Sequence, residues 1–113
     1  MAESTPTEEP VVLPFCDARN NPDWFITLKT WPEYWDAVAD GRKSFEVRKA
    51  DRPYRVGAVL FLQRWEPDRG DFTYDETGHP KTSARRITYV LPGGQFGIDP
   101  DYVVMGVANV RNG

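Results

Sequence analysis

Cysteine is nearly absent from this 113-residue chain: Cys16 is the only one. An internal disulfide is therefore impossible, and so is a thiolate zinc site built within one chain. Histidine is as scarce, with His79 alone, which excludes paired imidazole ligands and every motif that needs two histidines. No apolar run approaches the roughly 18 residues of a membrane-crossing helix. The N-terminus has no basic region leading into an apolar core, so no secretory signal is read there. A reducing, cytoplasmic location is the expectation. Phosphate-loop and nucleophile-elbow patterns are missing too. The formal charge of −3 argues against general coating of DNA, although it leaves room for a focused basic groove.

What the chain does have is proline, glycine and aromatic residues. Ten Pro and nine Gly point to short elements and many turns. Four Trp, five Tyr and six Phe can fill a small core with few residues. One domain is expected for this length, preceded by a flexible tail over residues 1–22. Pro6, Pro10, Pro14 and Pro22 punctuate that tail, and Val11–Phe15 reads as a strap on the domain surface. The domain then spans 23–113.

The remaining charge is unevenly placed. Gly41–Arg55 carries six of the fourteen basic residues (Arg42, Lys43, Arg48, Lys49, Arg52, Arg55) and two of the seventeen acidic ones. One reading is a phosphate-binding site. The other is a guarded strand edge, since Lys and Arg deter edge-to-edge pairing.

Around this island the pattern alternates between strand and helix. WFITLK (24–29) is β-prone. Thr30-Trp31-Pro32-Glu33 reads as a capping box opening a helix that ends at Gly41. Trp31, Tyr34, Trp35 and Val38 form one stripe at helical spacing, with Trp35 and Val38 as core candidates. SFEVRK (44–49) is a short strand with Phe45 and Val47 on one face and Ser44, Glu46 and Arg48 on the other. AVLFLQRW (58–65) reads as a strand buried on both faces in its middle. Residues 71–84 resist assignment beyond an exposed tip at 75–81. RRITYVL (85–91) and YVVMGVANV (102–110) are the last strands, with Gly106 marking a bulge or close backbone approach. One helix with five or six strands predicts an α+β, mostly β fold, most economically a small closed or half-closed barrel.

Several of these segments together resemble a known family. Leu28-Lys29-Thr30-Trp31-Pro32, Gly41-Arg42-Lys43-Ser44-Phe45-Glu46-Val47-Arg48-Lys49, the Val56-Gly57 step and Tyr102-Val103-Val104-Met105-Gly106 occur in the order seen in the ASCH-like branch of the PUA superfamily. Within it they are similar to a group of small phage and bacterial proteins of unassigned function. The match covers about Ile26 to Val107. The resemblance implies a PUA-like pseudo-barrel with one helix after the first strand, a cleft beside that helix, and binding of RNA or processing of nucleobases. It carries Lys29, Trp31, Arg42, Lys43, Ser44, Glu46 and Arg48 over as the cleft set. The basic run extends that set to Lys49 and Arg52. Two positions depart from the pattern: Thr27 stands where many relatives have His, and Ala58 where they have Asp.

The expected function is recognition of a single-stranded or flipped base in RNA or a nucleotide, with no metal and no cofactor. Arginine and lysine would donate to phosphate or base acceptors. Glu46 would accept from an exocyclic amine, and Trp31 would offer a stacking face. A second reading follows from the resemblance alone: one ASCH-like branch looks like an amidohydrolase of N4-acetylcytidine, with a Lys at the position of Lys43 as the main catalytic residue. In that branch the supporting Thr aligns with Glu46 here. A third is a phage-type protein-interaction module using the tail and the 71–84 excursion.

Overall fold

A computed structural model describes residues 24–110. The expected tail, its Val11–Phe15 strap and Cys16 lie outside the described residues. Six strands and one helix follow in the order β1 (Phe25–Thr30), α1 (Pro32–Ala39), β2 (Phe45–Lys49), β3 (Val59–Glu66), β4 (Asp71–Phe72), β5 (Thr82–Pro92) and β6 (Tyr102–Asn109). The α+β, mostly β architecture expected from the sequence is the one observed.

The strands form a sheet of order β1-β3-β5-β6-β2, with β4 added to β3. β1 runs parallel to β3 and the other pairs are antiparallel. The sheet does not close, because β1 and β2 are its two edges. They nonetheless approach within reach of one side chain: the Arg48 guanidinium on β2 donates to the Lys29 carbonyl at 3.0 Å and to the Thr30 hydroxyl at 2.8 Å on β1. Strand twist curls the sheet until its edges face each other, and a seam remains where a barrel would complete its ladder.

The concave side holds the core. Ile26 and Leu28 of β1, Leu60 and Leu62 of β3, Ile87 of β5 and Val103, Met105 and Val107 of β6 meet there, with Val38 of α1 as the plug. Their two-residue spacing along each strand is what sends them to one side. Trp35 packs against this cluster, and its indole N–H donates to the Leu62 carbonyl at 2.7 Å. The same helix is tied to β3 at its polar edge, where Arg64 donates to both Asp36 oxygens. That contact holds the Asp36 carboxyl below the usual aspartate range.

The helix starts one residue later than the capping box predicts. Trp31, not Thr30, is the N-cap, at φ −61° and ψ 150°, and no side chain caps the helix. A residue before proline is driven out of the helical region into extended backbone. Pro32 therefore forces Trp31 to remain extended, which leaves Thr30 in β1 with its hydroxyl turned to Arg48. The other end is as expected: Gly41 takes φ +87°, a conformation glycine adopts without Cβ strain. The Lys43 N–H then donates to the Ala37 carbonyl at 2.9 Å, so the helix end sets where Lys43 begins.

Two differences lie further along. β5 begins at Thr82 rather than Arg85, because Thr82, Ser83 and Ala84 pair with Gln63, Leu62 and Phe61 of β3. Long-range pairing draws polar residues into a strand that local propensity leaves out. At Gly106 the bulge is real but sits on the partner strand: Thr88 is the extra residue between Ile87↔Val107 and Tyr89↔Gly106. A Cβ at Gly106 would meet the Thr88 hydroxyl oxygen at 2.8 Å.

Candidate binding cleft

β2 alternates as its sequence predicts, but with the charged face inward. Glu46 is 2% exposed and sits opposite Met105, whereas Phe45 and Val47 face outward and are about half exposed. A buried carboxylate is tolerated when paired and hydrogen-bonded. Lys43 Nζ donates to Glu46 Oε2 at 2.9 Å and Arg48 Nε to Oε1 at 3.0 Å. The remaining Arg48 nitrogens reach β1 across the seam, and Lys43 Nζ also donates to the Phe45 carbonyl at 2.7 Å. One negative and two positive groups leave the cluster with a formal charge of +1, with both cations partly exposed.

This cluster forms one wall of a cleft of about 750 Å³, within the usual size of small-molecule sites. The other walls are aromatic and aliphatic. Trp31 and Tyr34 stack at 6.5 Å between ring centroids, 20° apart, and stay 51% and 48% exposed. Phe45, Val47 and Tyr102 complete the lining. Five of the nine large hydrophobic side chains exposed among the described residues thus surround one cleft. Scattered exposed hydrophobics are ordinary, but a contiguous group beside fixed charges marks a recognition surface.

Of the residues read from the sequence, Lys29, Trp31, Lys43, Glu46 and Arg48 line the cleft. The Lys29 ammonium lies 3.9 Å from the Trp65 ring centroid, and its carbonyl serves Arg48. Glu46, expected to accept from a ligand amine, is buried, and both its oxygens already accept hydrogen bonds from Lys43 and Arg48. Four residues are elsewhere. Arg42 turns back to Asp40, 2.8 Å away. Ser44 precedes β2 and is exposed, its carbonyl accepting from the Val107 N–H. Lys49 is exposed at the end of β2, outside the cleft lining, and Arg52 lies in the exposed turn beyond it.

The residues missed are Thr30, Tyr34, Phe45, Val47 and Tyr102. Tyr34 carries a signal, three residues after Trp31 on the same helix. Tyr102 carries none, because only β2–β6 pairing brings it beside Lys49.

The two departures from the resemblance resolve differently. Thr27 lies on the outward phase of β1, opposite Phe61. Ala58 is fully buried in the core, where an aspartate would need a partner. His79 sits at the exposed tip with Nδ1 2.9 Å from the Thr77 hydroxyl. Among the described residues no group of three His, Cys, Asp or Glu side chains is placed to hold a metal ion, and no helix is long and apolar enough to cross a membrane.

The fold and cleft define a class: a one-helix, open-sheet domain with a carboxylate-braced cation pair beside stacked aromatics. Residues 26–107 match the family described as Domain of unknown function (DUF3850), and the chain belongs to that family. No curated protein matches the chain.

Proposed function

We propose that the protein binds single-stranded RNA or a nucleotide, taking an unstacked base into the cleft. The observation that carries this reading is the exposed Trp31–Tyr34 stack beside the partly exposed Lys43 and Arg48. Flat apolar faces next to fixed cations suit a ligand that is itself a flat ring on an anionic backbone. The pairing of both cations with Glu46 holds them in place before a ligand arrives, which reduces the ordering cost of binding. The resemblance to ASCH-like domains supports the same ligand class.

The test is a titration of short single-stranded oligonucleotides at low and moderate salt, followed by tryptophan fluorescence. Lys43→Ala and Arg48→Ala are each expected to weaken binding and to reduce the salt slope by about one unit if each cation neutralises one phosphate. Absence of binding to any oligonucleotide or nucleotide at low salt would sink the proposal.

One contact favours a second reading, hydrolysis of N4-acylated cytidine. Lys43 Nζ and the Glu46 carboxylate are 2.9 Å apart, a distance that permits proton exchange between them, and Lys43 reaches the cleft. Release of acetate from N4-acetylcytidine, lost in Lys43→Ala, is the expected outcome. Intact substrate after prolonged incubation with concentrated protein excludes it.

A further inference from the structure

β2 is an edge strand, yet most of the carbonyl acceptors along its free edge are already engaged. In an antiparallel pair, alternate residues turn their N–H and C=O toward the partner or away from it. The Val107 N–H donates to the Ser44 carbonyl, and the Ala50 N–H to the Asp101 carbonyl. With the register Phe45↔Gly106 to Lys49↔Tyr102, the even-numbered residues face β6. Phe45, Val47 and Lys49 therefore present their main-chain groups to the free edge. Two of their three carbonyls are already engaged: Lys43 Nζ donates to that of Phe45, and the Asp51 N–H to that of Lys49 at 2.8 Å. Val47 is left with an N–H and a C=O side by side, on a residue that lines the cleft.

We infer that this Val47 pair reads the hydrogen-bonding edge of one base. The inference rests on the nucleotide-binding reading and deepens it. A strand-adding peptide needs a run of free donors and acceptors along an edge, and the plugs at Phe45 and Lys49 leave too short a run for it. One adjacent donor and acceptor is instead the pattern that a single base edge complements: uracil offers N3–H beside a carbonyl, and adenine offers N1 beside its N6 amine. Lys43 and Arg48, in the same cleft, are left for the phosphate or sugar oxygens attached to that base.

The experiment uses the full chain with pentameric oligouridylate and oligoadenylate, and the same oligomers carrying N3-methyluridine or N6,N6-dimethyladenosine. At least one methylated oligomer is expected to bind tenfold or more weakly than its parent. Val47→Pro removes the N–H at a position facing away from β6, where an edge strand tolerates proline. It is expected to show the same loss for the unmodified oligomer while keeping the wild-type salt slope. Equal binding of parent and methylated oligomers overturns the inference, as does a folded Val47→Pro protein that binds like wild type. A loss in Val47→Pro without any sensitivity to base methylation also overturns it, because the backbone contact would then not be to a base edge. Should Val47→Pro fail to fold, the methylated oligomers decide the question on the wild-type chain. If the parent oligomers bind but methylation has no effect, only this inference falls. If no oligomer binds, the nucleotide reading falls with it.

Discussion

Arg48 on β2 donates to the Thr30 hydroxyl on β1 at 2.8 Å, across the seam where the sheet stays open. The same guanidinium holds the Lys29 carbonyl and the buried Glu46. One side chain thus links the two sheet edges and the charge cluster of the cleft.

Arg48→Lys keeps the charge but not the planar fork, so it cannot serve Glu46, Thr30 and the Lys29 carbonyl together. A stability loss of about 1–2 kcal/mol is expected in urea unfolding. Faster amide exchange should be confined to the facing ends of β1 and β2. Uniformly faster exchange would show that the seam is held by something else.

Glu46→Ala leaves two cations without their shared carboxylate. Breaking a fully buried pair costs about 3–5 kcal/mol, and partial exposure of Lys43 and Arg48 reduces that here to about 2–3 kcal/mol. Glu46→Gln keeps the shape and one acceptor, and is expected to fall between the two. If Glu46 positions the cations rather than touching the ligand, the Glu46→Gln loss of oligonucleotide affinity should come with an unchanged preference between bases. A changed preference would make Glu46 a direct contact.

Trp31→Ala separates recognition from folding. With the ring half exposed at the helix start, stability should change by no more than about 0.5 kcal/mol. Affinity for single strands should drop by about 1–3 kcal/mol, the worth of one base–aromatic stack. Trp35→Ala should do the reverse and destabilise first, since its ring packs on the core and its N–H serves Leu62.

Acid should loosen the joint between α1 and β3. The Arg64 hydrogen bonds and charge hold the Asp36 carboxyl below its ordinary value, and the Thr73 hydroxyl, followed by Arg69, does the same for Glu66. A depressed folded value means stability that is present above the ordinary carboxylate range, near pH 4, and is lost as pH falls through the folded values. Both groups are well solvated, so the effect is modest. Thermal midpoints measured from pH 6 down to pH 2 should fall less steeply in Asp36→Asn than in wild type. An unchanged slope would remove Asp36 from the account.

Gly106→Ala tests the bulge. Its Cβ would crowd the Thr88 hydroxyl, at a cost of about 1–3 kcal/mol. Thr88→Ala in the same chain should recover most of that loss, a coupling that a double-mutant cycle reads directly. Additive effects would mean that the strain lies in the backbone instead.

Local chemistry alone determined a good deal of this protein. Gly41 ends the helix because glycine accepts φ > 0, and period-two spacing puts Glu46 and Arg48 on one side of β2 whatever the strand packs against. Even the position of Trp31 outside the helix was available from the proline that follows it. The tertiary structure decided which side of β2 is inside, because the burial of Glu46 depends on Lys43 arriving from the helix end and on Arg48 finding acceptors on β1. It also decided that the basic island splits: Lys43 and Arg48 enter the cleft, while Arg42 turns to Asp40 and Lys49 stays outside the lining. Tyr102 joins the site only through β2–β6 pairing, and Thr30, next to Lys29 and Trp31 in the chain, finds Arg48 only across the seam. Composition and periodicity are properties of neighbours along the chain, whereas the cleft needs β1 and β2, consecutive in sequence but at opposite edges of the sheet, to be brought face to face by the strands that lie between them.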